Sequence, residues 1–578
     1  MTQEDATASA RSGLETWRRL TRANWYDADS FFQRVLRRRL GPRYADAAAR
    51  LRGVAEEAGP AVADAVEESS RDENLPSLRR HDADGRPTEE VFFHPAYHTV
   101  GRAFWASGAM AVLAEPGSEV LAGSIVYLLD QHGEAGHACP LACTAGAIKL
   151  LQRLGTDAQQ KRYLPCLTES DYGRRLHAAQ FVTEVQGGSD VGANACRAAP
   201  AADRPGWYRI RGEKWFCSVA DAGLFVVSAR PEAATEGTKG LGLFLVPRAL
   251  DGRPNGFVLR RLKRKLGTRS MATGEIEFDD ALGELIGPVG EGFKNLVAIV
   301  LDTSRVHNAL AACGIMRRAF VEAQCFAQSR RAFDRHIVDF PAVRETLAGM
   351  RLRAMTALAT TFRILEMTDR ISTGQGDEEL VAARRIRVMI NKHWTAVAAS
   401  MTARDGIEVL GGNGTIEDFS VLPRLYRDSI VLESWEGTHN ALCAQVLRDF
   451  ATRGLQRPWL REIEGEIGRL AHRRLTDHVA RASALHREVE ERIERLLASD
   501  PEVALGDVRH VVGRMCRLTD WVELLSQAAW ELEHHVAQDT LDAIELYRQC
   551  ELDHSSPHES PALAALRDRF VRQPPGRL

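Results

Sequence analysis

Apolar residues recur at every third or fourth position through most of this chain, and that rhythm breaks once, in the middle. From about Trp25 to Leu176 the helical period holds in "SFFQRVLRRRL", "YHTVGRAFWASGAMAVL" and "PLACTAGAIKLLQRL", with turn residues between them. An arm of mixed polarity, "LPSLRRHDADGRPTEEVFFHP", interrupts this region and carries the turn signal Asp84-Gly85. The period then changes. "GWYRIRGEKWFC", "LFVVSARP", "GLGLFLVP", "GFVLRRL" and "TGEIEFDD" are short and rich in β-branched and aromatic residues, with Gly, Pro and Asp between them. They predict a compact antiparallel β-domain.

After "GPVGEGFKNL" long helical units return: "SRVHNALAACGIMRRAFVEAQCFAQSR", "FPAVRETLAGMRLRAMTALATTFRIL" and "ELVAARRIRVMINKHWTAVAASMTARDGIEVL". Their lengths predict an antiparallel bundle, with "DRISTGQGDEE" as an inter-helix loop. From about Leu455 the pattern is helical again, in "ALHREVEERIERLLASD" and "TDWVELLSQAAWELEHHV", and it ends in "DHSSPHESP" and a short tail. The expected organisation is α+β: an N-terminal helical domain over 1–178, a β-domain over 179–286, a bundle over 287–454 and a further helical domain over 455–578. The order α, β, α excludes the usual βαβ dinucleotide fold, so any nucleotide cofactor must be gripped by other means.

At 578 residues the chain is too long for one core. With 44% hydrophobic residues, 26% charged and a formal net charge of -3, nothing asks for a polyanion partner. The N-terminus "MTQEDATASARSG" has acids where a signal peptide needs a basic stretch, and no uninterrupted apolar segment spans a bilayer, so a cytoplasmic protein without membrane contact is expected. Ten cysteines without a C-x-x-C pair argue for reduced, mostly buried thiols. His132, His137, Cys139 and Cys143 are ligand types, but their spacing matches no familiar zinc pattern. A packed helix start before "PLACTAGAIKLL" is the favoured reading, and no metal is expected.

Four short stretches carry candidate chemistry. In "SWEGTHNALCAQVL", Leu442, Val446 and Phe450 form one stripe of an amphipathic helix, with Thr438 or Asn440 as its N-cap. Glu436 lies just ahead of that cap, where the helix dipole favours its charge and the Trp435 indole opposes it. A tuned acid and a plain dipole-complementing Glu are both consistent with this. "TEVQGGSD" offers Gly187, Gly188, Ser189 and Thr183 as a phosphate cradle, or as an ordinary tight turn. "EVLGGNG", residues 408 to 414, repeats that chemistry at a helix end, where Gly411 serves equally as a C-cap. "RRAFDRH" sets Arg330 three positions before Phe333, suited to a phosphate-bearing flat ligand or to a solvated basic helix end.

Together "TEVQGGSD", "KWFCS", "RRAF", "EVLGGNG", "RLYRD" and "WEGT" occur in the order, and at about the intervals, of the flavin-dependent acyl-CoA dehydrogenase family, which this chain resembles over roughly residues 90 to 450. "LRRHDADGRPTEEVFFHPAYH", "EAGHACP", "LGTRSMATGEIEF" and "WEGTHN", with the C-terminal appendix, resemble its AidB, alkylation-response branch. The resemblance implies an acyl-CoA dehydrogenase-like fold with a C-terminal four-helix bundle, FAD as cofactor, and α,β-dehydrogenation of an acyl thioester, bound to CoA or to a carrier protein. In that reading Glu436 removes the α-proton, its backbone N–H polarises the thioester oxygen, Gly437 permits the approach and Ser189 also contacts substrate. Thr183, Gly188 and Ser189 bind the flavin edge and phosphate, Trp215 lies beside the ring, and Cys217 or Ser218 lies near N5. Arg330, Phe333, Glu408, Gly411 and Gly412 hold the adenine half across a subunit boundary, and Thr438 and Asn440 touch phosphate. The sharing implies a homo-oligomer, usually a tetramer, with an electron-transfer flavoprotein as acceptor.

Departures are specific. Cys217 stands where threonine is common, Asp334 replaces a glycine, Thr415 an aromatic, and Glu408 stands where many members have Gln. Some relatives take their base just before a bundle arginine; here that residue is Ser304, before Arg305. Nitroalkane-type oxidation on the same scaffold and an AidB-like nucleic-acid-protective role are the rival readings. The latter lacks a cationic face: from Leu455 onward there is no lysine and acids outnumber arginines by about five. The run "RRLKRKLGTR" in the β-domain reads either as a phosphate contact or as a solvated strand edge.

Overall fold

A computed structural model describes residues 3–232, 234–536, 539–553 and 560–572. The chain forms two compact units, one of residues 61–115 and 134–307, the other of residues 1–60, 116–133 and 308–578.

The first unit holds the sheet. The helices Pro95–Ala106, Ala135–Leu154 and Asp157–Leu167 precede it, and the arm is a hairpin of Ser77–His81 and Pro87–Phe92. Seven strands run in the order Phe257–Leu262, Thr273–Ile286, Trp207–Ser218, Arg197–Pro200, Leu224–Pro231 and Ala178–Phe181, while Gly242–Pro247 pairs with both Thr273–Ile286 and Leu224–Pro231. That double pairing closes a ring, which removes edges from its central strands. Most pairs are antiparallel, as the turn-rich sequence predicts. Ala178–Phe181 and Arg197–Pro200, which the sequence pattern did not mark, each run parallel to Leu224–Pro231. The Ala135 helix contains Pro140, which strands the carbonyl of Gly136; the hydroxyl of Tyr97 donates to it at 2.9 Å.

The second unit is helical. Asp302–Ser329, which enters it at Asn308, joins Pro341–Ser372, Glu378–Leu410 and His439–Arg453 in the bundle. Pro341–Ser372 continues through "DRIS", so the predicted loop shrinks to residues 373–377, where Asp377 caps the next helix by accepting from Leu380 N at 2.8 Å. The stretch Gly292–Ser329 is long and apolar enough to cross a membrane by length and composition, but it is interrupted by charges such as Asp302 and Arg305, and two-thirds of its apolar window is buried in protein.

The appendix helices Gln456–Gly468 and Pro501–Glu533 pack on the bundle through buried charge. Arg387 donates to Glu462 at 2.9 Å and to Glu523 at 3.0 Å; Arg363 reaches Glu462, Glu466 and Glu366; Arg39 reaches Glu523 and Glu366. Burial pushes the Glu366 carboxyl up, but Arg39 and Arg363 outweigh it and hold it at about 2. Removing one member of such a network strands the others in a low dielectric, at about 3–5 kcal/mol. Most of "DHSSPHESP" lies outside the described residues, and part of the tail after it is the helix Pro561–Arg572.

Candidate functional site

In the sheet unit, the turn that carries Thr183, Gly188 and Ser189 closes on itself through Glu184 N to Gly187 O at 3.2 Å and Gly187 N to Glu184 O at 3.0 Å. A Cβ on residue 188 would lie 2.4 Å from Thr183 Oγ1, so only glycine lets the hydroxyl and the backbone share this space. Ser189 is exposed and Thr183 half-buried, leaving both hydroxyls on the accessible side. Beneath them Glu184 accepts from Ala195 N at 2.6 Å and from Cys196 N at 3.2 Å, and pairs with Lys214 at 2.7 Å. Burial works against the Glu184 charge, yet Lys214 and the backbone donors prevail and hold its carboxyl below the usual range.

Lys214 opens "KWFCS", and a second bond, Trp215 N to Thr183 O at 2.9 Å, ties this strand to the turn. The ladder slips between Lys214, opposite Ile276, and Cys217, opposite Gly274: three steps on one strand face two on the other. This bulge turns Lys214 and Cys217 both inward and leaves Trp215 half-buried and Phe216 exposed. The Cys217 thiol donates to Lys214 O at 3.4 Å, and burial raises its pKa out of the titrating range. Ser218 is the accessible member of that pair. Lys263 Nζ lies 3.4 Å from the centroid of the Trp215 ring, covering one face.

Three further groups of residues named from the sequence can be placed. Ser304 is buried against Gln180, which donates to its hydroxyl at 3.0 Å, so an amide rather than a base adjoins it. Part of the basic run is paired across strands: Arg260 pairs with Glu277 at 2.8 Å and with Glu213, and Arg261 and Lys263 both reach Glu275. Phe257–Leu262 is an edge strand, as one of the two readings has it. His137 Nε2 meets Tyr97 O at 2.8 Å, inside the helix that begins at Ala135, and Cys139 and Cys143 lie 3.9 Å apart. Burial lowers the His137 pKa to about 3. In the helical unit His132 meets Ala58 O at 2.8 Å. Among the described residues no group of His, Cys, Asp and Glu is placed to hold a metal.

In the helical unit, Glu436 occupies a corner between the helices Leu422–Ser434 and His439–Arg453. Trp435 ends the first helix by donating to Val431 O at 3.1 Å, and Leu442, Val446 and Phe450 bury the second. Glu436 has φ +56° and Gly437 φ +104°. A non-glycine residue held left-handed costs on the order of 1–2 kcal/mol and persists only where its surroundings dictate it. Thr438 occupies the N-cap position without a side-chain bond to the helix, and Asn440, the other candidate, lies within the first turn; both are exposed. Below the corner, Lys392 is fully buried and donates to Gly437 O at 2.8 Å and to Glu433 O at 3.1 Å.

Arg330 follows the end of the helix Asp302–Ser329 and leads into a two-residue hairpin whose tip is Phe333 and Asp334, at φ +49° and +61°. This is the twist of a type I′ turn, made here without glycine. Phe333 is 90% exposed. Gly411 caps Glu378–Leu410, donating to Glu408 O, and Glu408, Gly411 and Gly412 are all exposed. Sequence reasoning passed over Glu184, Lys214 and Lys392. A signal existed for Lys214, which shares the inward parity of Ile210 along the strand.

Three family models match the chain: the adaptive response protein AidB N-terminal domain over residues 16–174, the acyl-CoA dehydrogenase middle domain over 179–281 and the acyl-CoA dehydrogenase C-terminal domain over 290–450. AidB of Escherichia coli K12 is 36% identical over 389 residues, 65% of this chain and 69% of that protein. Acyl-CoA dehydrogenase family member 11 of Caenorhabditis elegans is 31% identical over 445 residues, 74% of this chain and 71% of that protein. A crystal structure of a Caenorhabditis elegans relative in complex with C11-CoA superposes with a TM-score of 0.84 at 25% identity, covering 92% of this chain and 91% of that one. A Bacillus anthracis acyl-CoA dehydrogenase complexed with FAD shares the fold, with a TM-score of 0.68 at 18% identity over 82% of this chain and 89% of that one.

Proposed function

Since the chain belongs to the acyl-CoA dehydrogenase family and carries an AidB-type N-terminal domain, we propose that it performs FAD-dependent α,β-dehydrogenation of an acyl thioester with Glu436 as catalytic base. The observation that carries this reading is the left-handed Glu436, which puts a carboxylate on a strained backbone at the corner between two helices.

The residues present suit the cofactor. The tight space between Gly188 and Thr183 lets backbone and hydroxyl approach an anion together, Ser189 adds a second hydroxyl, and Trp215 is covered by Lys263 on one face. Arg330, Phe333, Glu408, Gly411, Gly412, Thr438 and Asn440 would complete the contacts, and all are exposed. FAD, when bound, supplies the acceptor for the hydride that leaves the β-carbon. Glu436 takes the α-proton onto its carboxylate, while its backbone N–H and the flexible Gly437 receive the thioester oxygen. Ser304, engaged by Gln180, takes no proton, which leaves Glu436 as the single base. The C11-CoA complex of the relative supports a CoA thioester as the substrate class. The 90% exposure of Phe333 on a strained hairpin supports a homo-oligomer in which that ring meets a neighbouring subunit, and a flavoprotein carrier would take the electrons onward.

The test is anaerobic. Purified protein should show a flavin spectrum that bleaches with an acyl-CoA from a panel of short, branched, aromatic and long chains, and Glu436→Gln should lower that rate by roughly a thousandfold or more while retaining flavin. Bleaching by a nitroalkane and by no thioester would overturn the assignment.

A further inference from the structure

Glu436 is held in an unfavourable conformation, and something must hold it. Gly437, next along the chain, is the most permissive residue, and Thr438 makes no side-chain cap. The two carbonyls that bracket it belong to Glu433, in the last turn of the preceding helix, and to Gly437, at the approach to the next. The last carbonyls of a helix lack an intrahelical donor, and a carbonyl ahead of an N-cap lies outside the next helix's ladder, so each needs a donor from elsewhere. Both receive it from one ammonium, that of Lys392, which projects from the middle of Glu378–Leu410 and is 0% exposed. Resting on the proposed role of Glu436, we propose that Lys392 is the positioning residue of the catalytic base: its two bonds fix the corner, and its charge is held against the backbone on both sides of Glu436.

The arrangement is specific to a cation with freely aimed donors. A lysine ammonium carries three donors on a flexible stem, so it can satisfy two carbonyls that diverge, where an uncharged isostere satisfies neither. A buried cation is costly unless its donors are satisfied, and here two of them are spent on these carbonyls. The other ionisable groups around the corner do not replace it. Glu433 accepts a hydrogen bond from Ser400, and His439 lies 3.8 Å from the Glu433 carboxylate. His393 stacks edge-on against His439 at 4.5 Å between ring centroids; burial lowers the pKa of both, and Lys392 and Arg509 lower them further, so both rings are neutral near pH 7. Lys392 is therefore the cation that directly bonds the two carbonyls bracketing Glu436.

The experiment compares Lys392→Met, Lys392→Arg and Glu436→Gln in the full-length flavin-loaded protein, reading kcat, KM and the pH profile of anaerobic flavin reduction. Lys392→Met should retain flavin, lower kcat roughly ten- to a hundredfold with KM nearly unchanged, and move the acid limb of the profile up by roughly one pH unit. Lys392→Arg, which keeps the charge but not the donor geometry, should return the acid limb toward its wild-type position with only partial recovery of kcat. Should Lys392→Met fail to fold, Lys392→Gln, which keeps two donors but no charge, still isolates the charge through the acid limb. Wild-type kcat and an unmoved acid limb in the uncharged variants overturn the proposal, as does activity lost only in proportion to the folded, flavin-loaded fraction. An active Glu436→Gln would instead overturn the assignment of the base, so the two failures are distinguishable.

Discussion

Lys214 and Glu184 meet at 2.7 Å inside the sheet unit, with side chains 0% and 3% exposed. The pair joins the strand that carries Trp215 to the turn that carries Thr183 and Ser189. Lys214→Met would leave a buried carboxylate whose remaining donors are the amides of Ala195 and Cys196 and the side chain of Gln186, at a cost of about 3–5 kcal/mol. Adding Glu184→Gln removes the stranded charge. Urea unfolding should therefore show the double variant more stable than Lys214→Met alone, with a coupling of roughly 2 kcal/mol. Strictly additive losses would mean that the pair fastens nothing.

Tyr97 supplies the bond that Pro140 denies. Tyr97→Phe keeps the ring stacked on Phe93, 4.0 Å between centroids, and removes only the donor to Gly136 O. The expected loss is about 1–2 kcal/mol, the cost of a buried unsatisfied carbonyl. Pro140→Ala returns a backbone amide one turn from Gly136, so the same Tyr97→Phe change should cost less in that background. An equal cost in both would sink this account.

The period of the apolar positions carried most of the architecture. Strands such as Leu224–Pro231 and Gly242–Pro247 match the segments read from sequence because each is a continuous apolar run between turn residues. Ala178–Phe181 was illegible because four residues that join a sheet in parallel bring no hairpin partner to announce them. Motif residues were legible as positions but not as neighbours. Nothing in the alternation of "KWFCS" reveals a bulge, so Cys217 and Ser218 could not be told apart until the ladder put one inside and one out. Lys392 was hidden for a related reason: its partners are backbone carbonyls, which every sequence has, more than forty residues away.

The hairpin tip carries strain that one substitution should release. Asp334 sits at φ +61°, where glycine pays no steric penalty, so Asp334→Gly should stabilise the hairpin by about 1 kcal/mol. Hydrogen exchange of the Ile337 amide, which bonds Arg330 O at 2.9 Å at the base of the hairpin, reads this locally and should slow about fivefold. Unchanged exchange would mean that the Asp side chain offsets its own backbone cost. Phe333, next to it at φ +49°, is expected to respond differently: Phe333→Gly relieves strain too, but removes the exposed ring and should weaken self-association measured by sedimentation.

Asp520 is a buried acid whose two carboxyl oxygens accept from Thr360 Oγ1 at 2.9 Å and Trp394 Nε1 at 2.8 Å, joining the appendix to the bundle. Burial outweighs both donors and pushes its pKa up to about 7, from an ordinary 3.8. Below pH 4 folded and unfolded chains both hold this proton, and the group does not affect the balance. Between pH 4 and 7 the unfolded chain releases it while the folded chain retains it, so its contribution to stability falls as pH rises, by up to about 1.4 kcal/mol per pH unit, and levels off above 7. Asp520→Asn removes that titration. Its amide oxygen can still accept from Trp394, and the Thr360 hydroxyl can turn to accept from its NH2. Denaturant unfolding at intervals from pH 5 to 8 should therefore show a smaller decline in the variant than in the wild type, with the variant gaining relative stability toward pH 8. Parallel curves across that range would show that Asp520 stays ionised in the fold, held by its two donors against the cost of burial.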